Sequence, residues 1–82
     1  MTTFEKLCEL ILKIKKKTLS ANDLKPEAML TNDLNLDSLD MAELLVMAED
    51  AFSIKIPLDD AVKLMSLGAA TEYFDKRIAE QR

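Results

Sequence analysis

Apolar residues recur at helical spacing along most of the chain, and no segment alternates strictly enough to indicate a strand. This pattern predicts helices over about residues 3–17, 37–52 and 66–79, a short helix at 57–64, and a long loop over 19–36. The apolar side chains of the loop are expected to pin it onto the core. The sequence therefore predicts an all-α fold, a small bundle of three main helices plus one short helix.

The second predicted helix has two apolar faces. Asp37 is expected to cap its first turn, with Asp40 completing a variant of the capping box. The core side carries Met41, Leu44, Leu45, Ala48 and Phe52. The opposite side carries Leu39, Ala42 and Val46, flanked by Glu43, Glu49 and Asp50. An apolar stripe with an acidic rim favours a docking surface, although a helix buried on two sides remains an alternative.

The later part of the chain has clear helix boundaries. Residues 54–57 form a predicted extended connector, because a proline disfavours helix in the residue before it. Pro57 then suits the first turn of the short helix. Ser66 is expected to cap the last helix, and Gly68 weakens its first turn by about 1 kcal/mol relative to alanine.

Length and composition indicate one globular domain over residues 1–82. Hydrophobic residues make up 49% of the chain and charged residues 32%, which is not typical of disorder. The lone cysteine, Cys8, excludes an internal disulfide and a cysteine-cluster metal site. No apolar run approaches the roughly 20 residues that span a bilayer, and the start lacks a signal-peptide pattern. A cytoplasmic protein without membrane contact is expected.

The net charge of −4 counts against nucleic-acid binding, since an acidic surface repels phosphate backbones. Lysines do cluster at residues 13 and 15–17. A solvated helix end, where cations suit the helix dipole, is the favoured interpretation of this cluster. A contact with a partner is the alternative.

A calcium-loop pattern begins at Asp33 and then fails. Asn35 and Asp37 occupy its third and fifth positions, but Ser38 replaces the required glycine and Leu44 the required glutamate. No metal site is predicted, although weak binding of divalent cations to this acidic segment remains open.

Ser38 is the candidate for chemistry, because it stands where the loop gives way to the second helix. A helix start offers unpaired backbone N–H groups and a partial positive charge, which favour a phosphate group. The chain has no histidine that could activate this serine as a nucleophile. The combination indicates a serine that another protein modifies, and no catalytic residue is predicted.

Four short segments together resemble the family of free-standing acyl carrier proteins. They are residues 33–40, Glu43-Leu44, residues 49–52 and Ile56-Pro57. The resemblance implies the four-helix bundle of that family and a phosphoprotein in which Ser38 carries 4′-phosphopantetheine. A dedicated transferase would take this group from coenzyme A, and its thiol would hold acyl groups as thioesters. Asn35 stands where the family usually has glycine, and asparagine is the next-best residue at positive φ.

The resemblance also implies two sets of site residues. The partner-docking face would comprise Asp37, Leu39, Asp40, Glu43, Val46, Glu49, Asp50 and Ile56. The acyl pocket would comprise Leu30, Ala48, Ile56, Ala61, Leu64 and Tyr73, which are equally explained as ordinary core. The implied partners are a phosphopantetheinyl transferase and acyl-transferring, condensing or acyl-activating enzymes with basic docking patches. They would serve fatty acid biosynthesis, polyketide synthesis or related lipid metabolism, with the chain acting as a monomer.

Two other functions stay open. An aminoacyl or peptidyl carrier is the nearer one, although such carriers more often have Gly-Gly where this chain has Leu36-Asp37. The other is a helical interaction module without a prosthetic group, in which Leu39, Ala42 and Val46 would form the partner groove and Ser38 would only be a capping residue.

Overall fold

The computed structural model describes residues 2–15 and 19–81, apart from the side chain of Leu58. Within them lie three α-helices: α1 (Thr3–Ile14), α2 (Ser38–Phe52) and α3 (Leu67–Glu80). Two 3₁₀ helices, Ala21–Asp23 and Leu58–Lys63, complete the secondary structure. Among these residues there is no strand, only one isolated bridge between Met29 and Ser66. The predicted all-α bundle with three main helices is confirmed.

Each α-helix begins with a side chain that accepts a backbone N–H of its first turn. In α1 the Thr2 side chain accepts the Glu5 N–H. In α2 the Asp37 side chain accepts the Asp40 N–H, and in α3 the Ser66 side chain accepts the Ala69 N–H. These caps satisfy donors that a helix start otherwise leaves unpaired. The predicted caps Asp37 and Ser66 are confirmed.

The core is built mainly from leucine, and one aromatic cluster reaches from it toward the surface. The three α-helices contribute Leu7, Leu10, Ile11, Met41, Leu44, Leu45, Ala48, Leu67, Ala70 and Phe74, all buried. The Phe74 ring lies 5.7 Å from that of Phe52 and 5.3 Å from that of Tyr73. The long loop joins the same core through Leu24, Leu30, Leu34 and Leu36. The expectation that apolar loop residues pin the loop onto the bundle is confirmed.

Backbone hydrogen bonds fasten the middle of the loop to the start of α3. The Leu30 N–H donates to the Met65 carbonyl at 2.9 Å, and the Gly68 N–H donates to the Pro26 carbonyl at 2.7 Å. A β-carbon on Gly68 would lie 3.0 Å from the Pro26 carbonyl oxygen, so this close approach favours a residue without a side chain. The glycine that weakens the helix thus permits a contact that anchors the loop.

Two elements differ clearly from the sequence prediction. Helix α1 ends at Ile14 because Lys15 leaves the helical conformation, and residues 16 and 17 of the predicted helix lie outside the described residues. The short helix predicted over 57–64 is a 3₁₀ helix that begins after Pro57, whose ψ of 137° is extended. Its turns close by i→i+3 bonds, such as the 3.0 Å bond from the Asp60 N–H to the Pro57 carbonyl.

No helix within residues 2–15 and 19–81 combines the length and apolar character that crossing a membrane requires.

Candidate functional site

Ser38 is the first residue of α2, and its side chain is exposed. The residues on either side form a reciprocal capping box. The Asp40 N–H donates to Asp37 Oδ1 at 2.8 Å, and the Asp37 N–H donates to Asp40 Oδ2 at 3.2 Å. These bonds fix the backbone of residues 37–40, which we call the Ser38 turn. A hydroxyl on a fixed and exposed helix start is suited to receive an anionic group.

In the segment before the Ser38 turn, buried and exposed side chains alternate, and the buried ones anchor the backbone. Leu34 and Leu36 are buried, and Asn35 between them is exposed with φ at 59°. The Asp33 carboxylate accepts the Met29 N–H at 2.7 Å and closes the turn from the other side. The predicted positive φ at Asn35 is confirmed. This turn points the chain toward α2 with Ser38 on the outside.

The acidic side chains of the failed calcium pattern accept hydrogen bonds from the backbone. Asp33 accepts the Met29 N–H, and Asp37 accepts the Asp40 N–H. Within the part of the chain that the structure describes, no three His, Cys, Asp or Glu side chains gather in a way that would hold a metal ion.

An ion pair joins the end of α1 to the Ser38 turn. Lys15 Nζ lies 2.8 Å from Asp40 Oδ2, and the side chains are only 23% and 16% exposed. This hydrogen bond raises the pKa of the Lys15 ammonium and lowers the pKa of the Asp40 carboxyl. The prediction that Lys15 lies at a solvated helix end is therefore wrong, because its ammonium is paired with Asp40. Lys13 does remain in solvent, with only a 3.7 Å contact to Glu9. Lys16 and Lys17 lie outside the described residues.

A cavity of about 370 Å³ opens beside Ser38. It lies between α2, the loop around Met29 and the second 3₁₀ helix. Its lining is Met29, Thr31, Asn32, Asp37, Ser38, Met41, Ala42, Leu45, Ala61, Val62, Leu64 and Met65. The site serine therefore lies at the edge of a largely apolar space.

Two of the residues expected to form an acyl pocket, Ala61 and Leu64, line this cavity. Leu30 and Ala48 are completely buried in the core, and Ile56 is also buried. Tyr73 is part of α3, and its hydroxyl bonds to Asp60 of the second 3₁₀ helix. The resemblance had not pointed to the lining residues Met29, Met41, Leu45 and Met65, and apolar character alone does not separate a cavity lining from a core.

One wall of the cavity is held by a polar contact with α3. The Tyr73 hydroxyl donates to Asp60 Oδ2 at 2.5 Å, and Lys63 Nζ lies 3.3 Å from Asp60 Oδ1. The hydrogen bond from Tyr73 lowers the pKa of Asp60. Burial, helped by the Asp60 charge, raises the pKa of Tyr73 to about 12. This contact fastens the second 3₁₀ helix to the bundle.

The predicted docking face divides into an exposed group and an engaged group. Leu39 and Val46 are 69% and 65% exposed, and Asp37, Glu43 and Asp50 are exposed beside them. The engaged group consists of Asp40, Glu49 and Ile56. Asp40 pairs with Lys15, and the Glu49 carboxylate accepts the N–H of the buried Ile56 at 2.8 Å. The accessible face therefore comprises apolar side chains with an acidic margin.

The comparisons with known proteins match this geometry. The family model described as "Phosphopantetheine attachment site" matches residues 5–74. The acyl carrier protein of Helicobacter hepaticus is 36% identical over 75 residues, which cover 92% of this chain and 96% of that protein. The chain belongs to the acyl carrier protein family.

Other acyl carrier proteins match to a similar extent. That of Syntrophus aciditrophicus is 38% identical over 77 residues, which cover 94% of each chain. That of Amoebophilus asiaticus is 47% identical over 55 residues, which cover 67% of this chain and 69% of that protein. The likeness to acyl carrier proteins therefore extends beyond the Ser38 turn to most of the bundle.

Proposed function

We propose that Ser38 carries 4′-phosphopantetheine and that the chain holds acyl groups and delivers them to partner enzymes. The observation that carries this proposal is the position of Ser38. In a chain of the acyl carrier protein family, it is the exposed first residue of α2 at the edge of an apolar cavity. When bound, the group supplies a flexible arm whose terminal thiol carries acyl groups as thioesters.

The residues around Ser38 fit a phosphate-linked group. The hydroxyl faces solvent, where a transferase can reach it. The first turn of α2 lies next to it, and the N–H groups and dipole of a helix start favour negative charge. Because the capping box already fixes residues 37–40, attachment requires no rearrangement of the backbone.

We propose the cavity beside Ser38 as the space that shelters the cargo. Its apolar lining includes Ala61 and Leu64, two of the residues expected for this role. Leu30, Ala48 and Ile56 would contribute only if the core opened, since all three are buried. Tyr73 would act indirectly, by holding Asp60 in the neighbouring wall.

The partner-docking face in this proposal is the exposed side of α2. Leu39 and Val46 would supply apolar contact, and Glu43 and Asp50 would attract a basic patch on a partner. Charge complementarity of this kind mainly speeds the encounter of two proteins. The expected partners are a phosphopantetheinyl transferase and acyl-transferring, condensing or acyl-activating enzymes of fatty acid, polyketide or related metabolism. The monomeric state and the cytoplasmic location belong to the same proposal and rest on the sequence alone.

The test is the intact mass of the protein before and after incubation with coenzyme A and a broad-specificity phosphopantetheinyl transferase. The parent is expected to gain one phosphopantetheine group, and the Ser38→Ala variant none. Ser53→Gly is the matched control, because it removes an exposed hydroxyl at the other end of α2 where φ is already 56°. The proposal fails if the folded parent gains no mass while a known carrier is modified in parallel. A degenerate carrier or a helical interaction module would then be the remaining functions.

A further inference from the structure

We propose that Lys15 is the counter-charge of the Ser38 turn, and that it offsets the carboxylates beside Ser38 so that this turn tolerates a negative group. The inference rests on the proposed function, because the negative group in question is the one attached to Ser38. It assigns to the end of α1 a part in a site that otherwise lies on α2.

The geometry links Lys15 to the Ser38 turn through one shared atom. Asp40 Oδ2 accepts both the Lys15 ammonium at 2.8 Å and the Asp37 N–H at 3.2 Å. The residue after Asp37 is Ser38 itself. Lys15 therefore acts on the same capping box that fixes the backbone of the serine, and it does so from a position that is largely withdrawn from solvent.

The charges explain why a counter-charge is needed. Ser38 has a carboxylate before it in Asp37 and another two residues after it in Asp40, and both belong to the capping box. A phosphodiester on Ser38 would place a third negative charge in the same turn. Like charges at this spacing are well within the screening length of about 10 Å at 0.1 M salt and repel one another. Lys15 offsets this repulsion, and the attraction of both Asp40 and Asp37 raises the pKa of its ammonium.

A merely structural role for the ion pair predicts a different result. If Lys15 only fastened α1 to α2, its removal would destabilise every form of the protein by the same amount. A counter-charge predicts coupling instead, in which the removal of Lys15 costs more when position 38 is negative. The two roles are therefore separated by a double-mutant cycle.

Ser38→Glu supplies a negative charge without any transferase, and Ser38→Gln is its neutral match in size. The unfolding temperature of both variants would be measured in the parent and in the Lys15→Met background at low salt. We expect the Glu variant to lose roughly 2–5 °C more, relative to the Gln variant, when Lys15 is absent. Lys15→Arg should restore the parental difference, and Lys13→Met should leave it unchanged because Lys13 faces solvent.

The difference between the Glu and Gln variants should also shrink at about 1 M salt, where charges are screened within about 3 Å. An equal difference with and without Lys15 would overturn the inference. This cycle needs no modified protein, so its failure is distinct from a failure of the parent to gain phosphopantetheine. Once modified protein is in hand, the same coupling should appear as a larger loss of stability on modification in Lys15→Met than in the parent.

Discussion

The two long walls of the cavity beside Ser38 are held in different ways. Helix α2 runs over 15 residues and sets Leu44 and Ala48 completely inside the core. The second 3₁₀ helix runs over six residues, and its Val62 side chain is 77% exposed. Its Ala61 packs half-buried against the core, and Leu64 directly after it is buried. Two hydrogen bonds add to these contacts, the Tyr73–Asp60 bond near its start and the bond from Leu30 to Met65 just beyond its end.

The site therefore has one rigid wall and one that adapts more easily. Burial of large apolar side chains is worth several kcal/mol for each residue, whereas a single hydrogen bond contributes about 1 kcal/mol net. The wall that bears Ser38 is thus fixed by several core side chains of α2, whereas the opposite wall combines the smaller apolar contacts of Ala61 and Leu64 with a few polar bonds. We expect the second 3₁₀ helix to yield first when the cavity has to admit a guest.

Truncating the core side of α2 should have the largest effect. Leu44→Ala is expected to lower the free energy of unfolding by about 2–5 kcal/mol, because Leu44 is completely buried. Val62→Ala on the other wall should change it by less than about 0.5 kcal/mol, as an exposed site does. Urea unfolding of both variants measures the contrast. Equal losses would show that the two walls are held alike.

Removing the cap of α2 should have an intermediate effect. Asp37→Ala is expected to cost about 0.5–2 kcal/mol of unfolding free energy, since the Asp40 N–H loses its acceptor. Asp37→Asn retains an acceptor and is the matched control, with a loss of a few tenths of a kcal/mol expected. Thermal or urea unfolding gives both values. If alanine and asparagine were equivalent, the cap would not be what fixes the Ser38 turn.

Loosening the attachment of the second 3₁₀ helix should change its local hydrogen exchange before it changes the global stability. Tyr73→Phe removes the donor to Asp60 while keeping the ring that packs on Phe74. Amide hydrogen exchange over residues 60–64 is expected to speed up by about three- to tenfold. Exchange in the middle of α2 should remain as in the parent. Acceleration of both segments by the same factor would show that the two walls do not open independently.

The smallest effect is a spectroscopic one, and it isolates the same contact. Tyr73 is the single tyrosine of the chain, so the absorbance of tyrosinate reports its ionisation alone. We expect a midpoint of about 12 in the folded protein, above the ordinary value of 10.0. Asp60→Asn should lower this midpoint, because one cause of the shift is removed while burial remains. A midpoint unchanged by Asp60→Asn would remove Asp60 from the contact.

The sign of the pH dependence follows from these shifts. A raised pKa of Tyr73 means that its contribution to stability is complete below pH 10 and is lost as the pH rises toward 12. The lowered pKa of Asp60 has the opposite consequence. Its contribution is complete above the ordinary value of 3.8 and is lost as the pH falls through the lower value of the folded state.

Local chemistry made much of this molecule predictable from the sequence. The caps at Asp37 and Ser66 depend on residues within a few positions of one another, and the resemblance pointed to the positive φ at Asn35. The apolar stripes of the helices follow from periodicity alone. Periodicity also places Leu39 and Val46 on the outer side of α2, where both are exposed.

Contacts between distant segments were not predictable in the same way. The pairing of Lys15 with Asp40 depends on how α1 ends against α2, and the Tyr73–Asp60 bond depends on how α3 meets a 3₁₀ turn. No local pattern in a single sequence encodes either packing. The lining of the cavity was obscure for another reason, since Met41 and Leu45 carry the same signal whether they fill a core or border a space.

The most direct test of the central claim is to locate the modification within the chain. After treatment with coenzyme A and a phosphopantetheinyl transferase, the tryptic peptide that carries Ser38 also contains Thr18, Ser20, Thr31 and Ser53 as competing hydroxyls. Fragmentation of this peptide by mass spectrometry assigns the added group to one residue. We expect the added group on Ser38 alone. A group on another hydroxyl, or a folded protein that accepts none, would contradict this expectation.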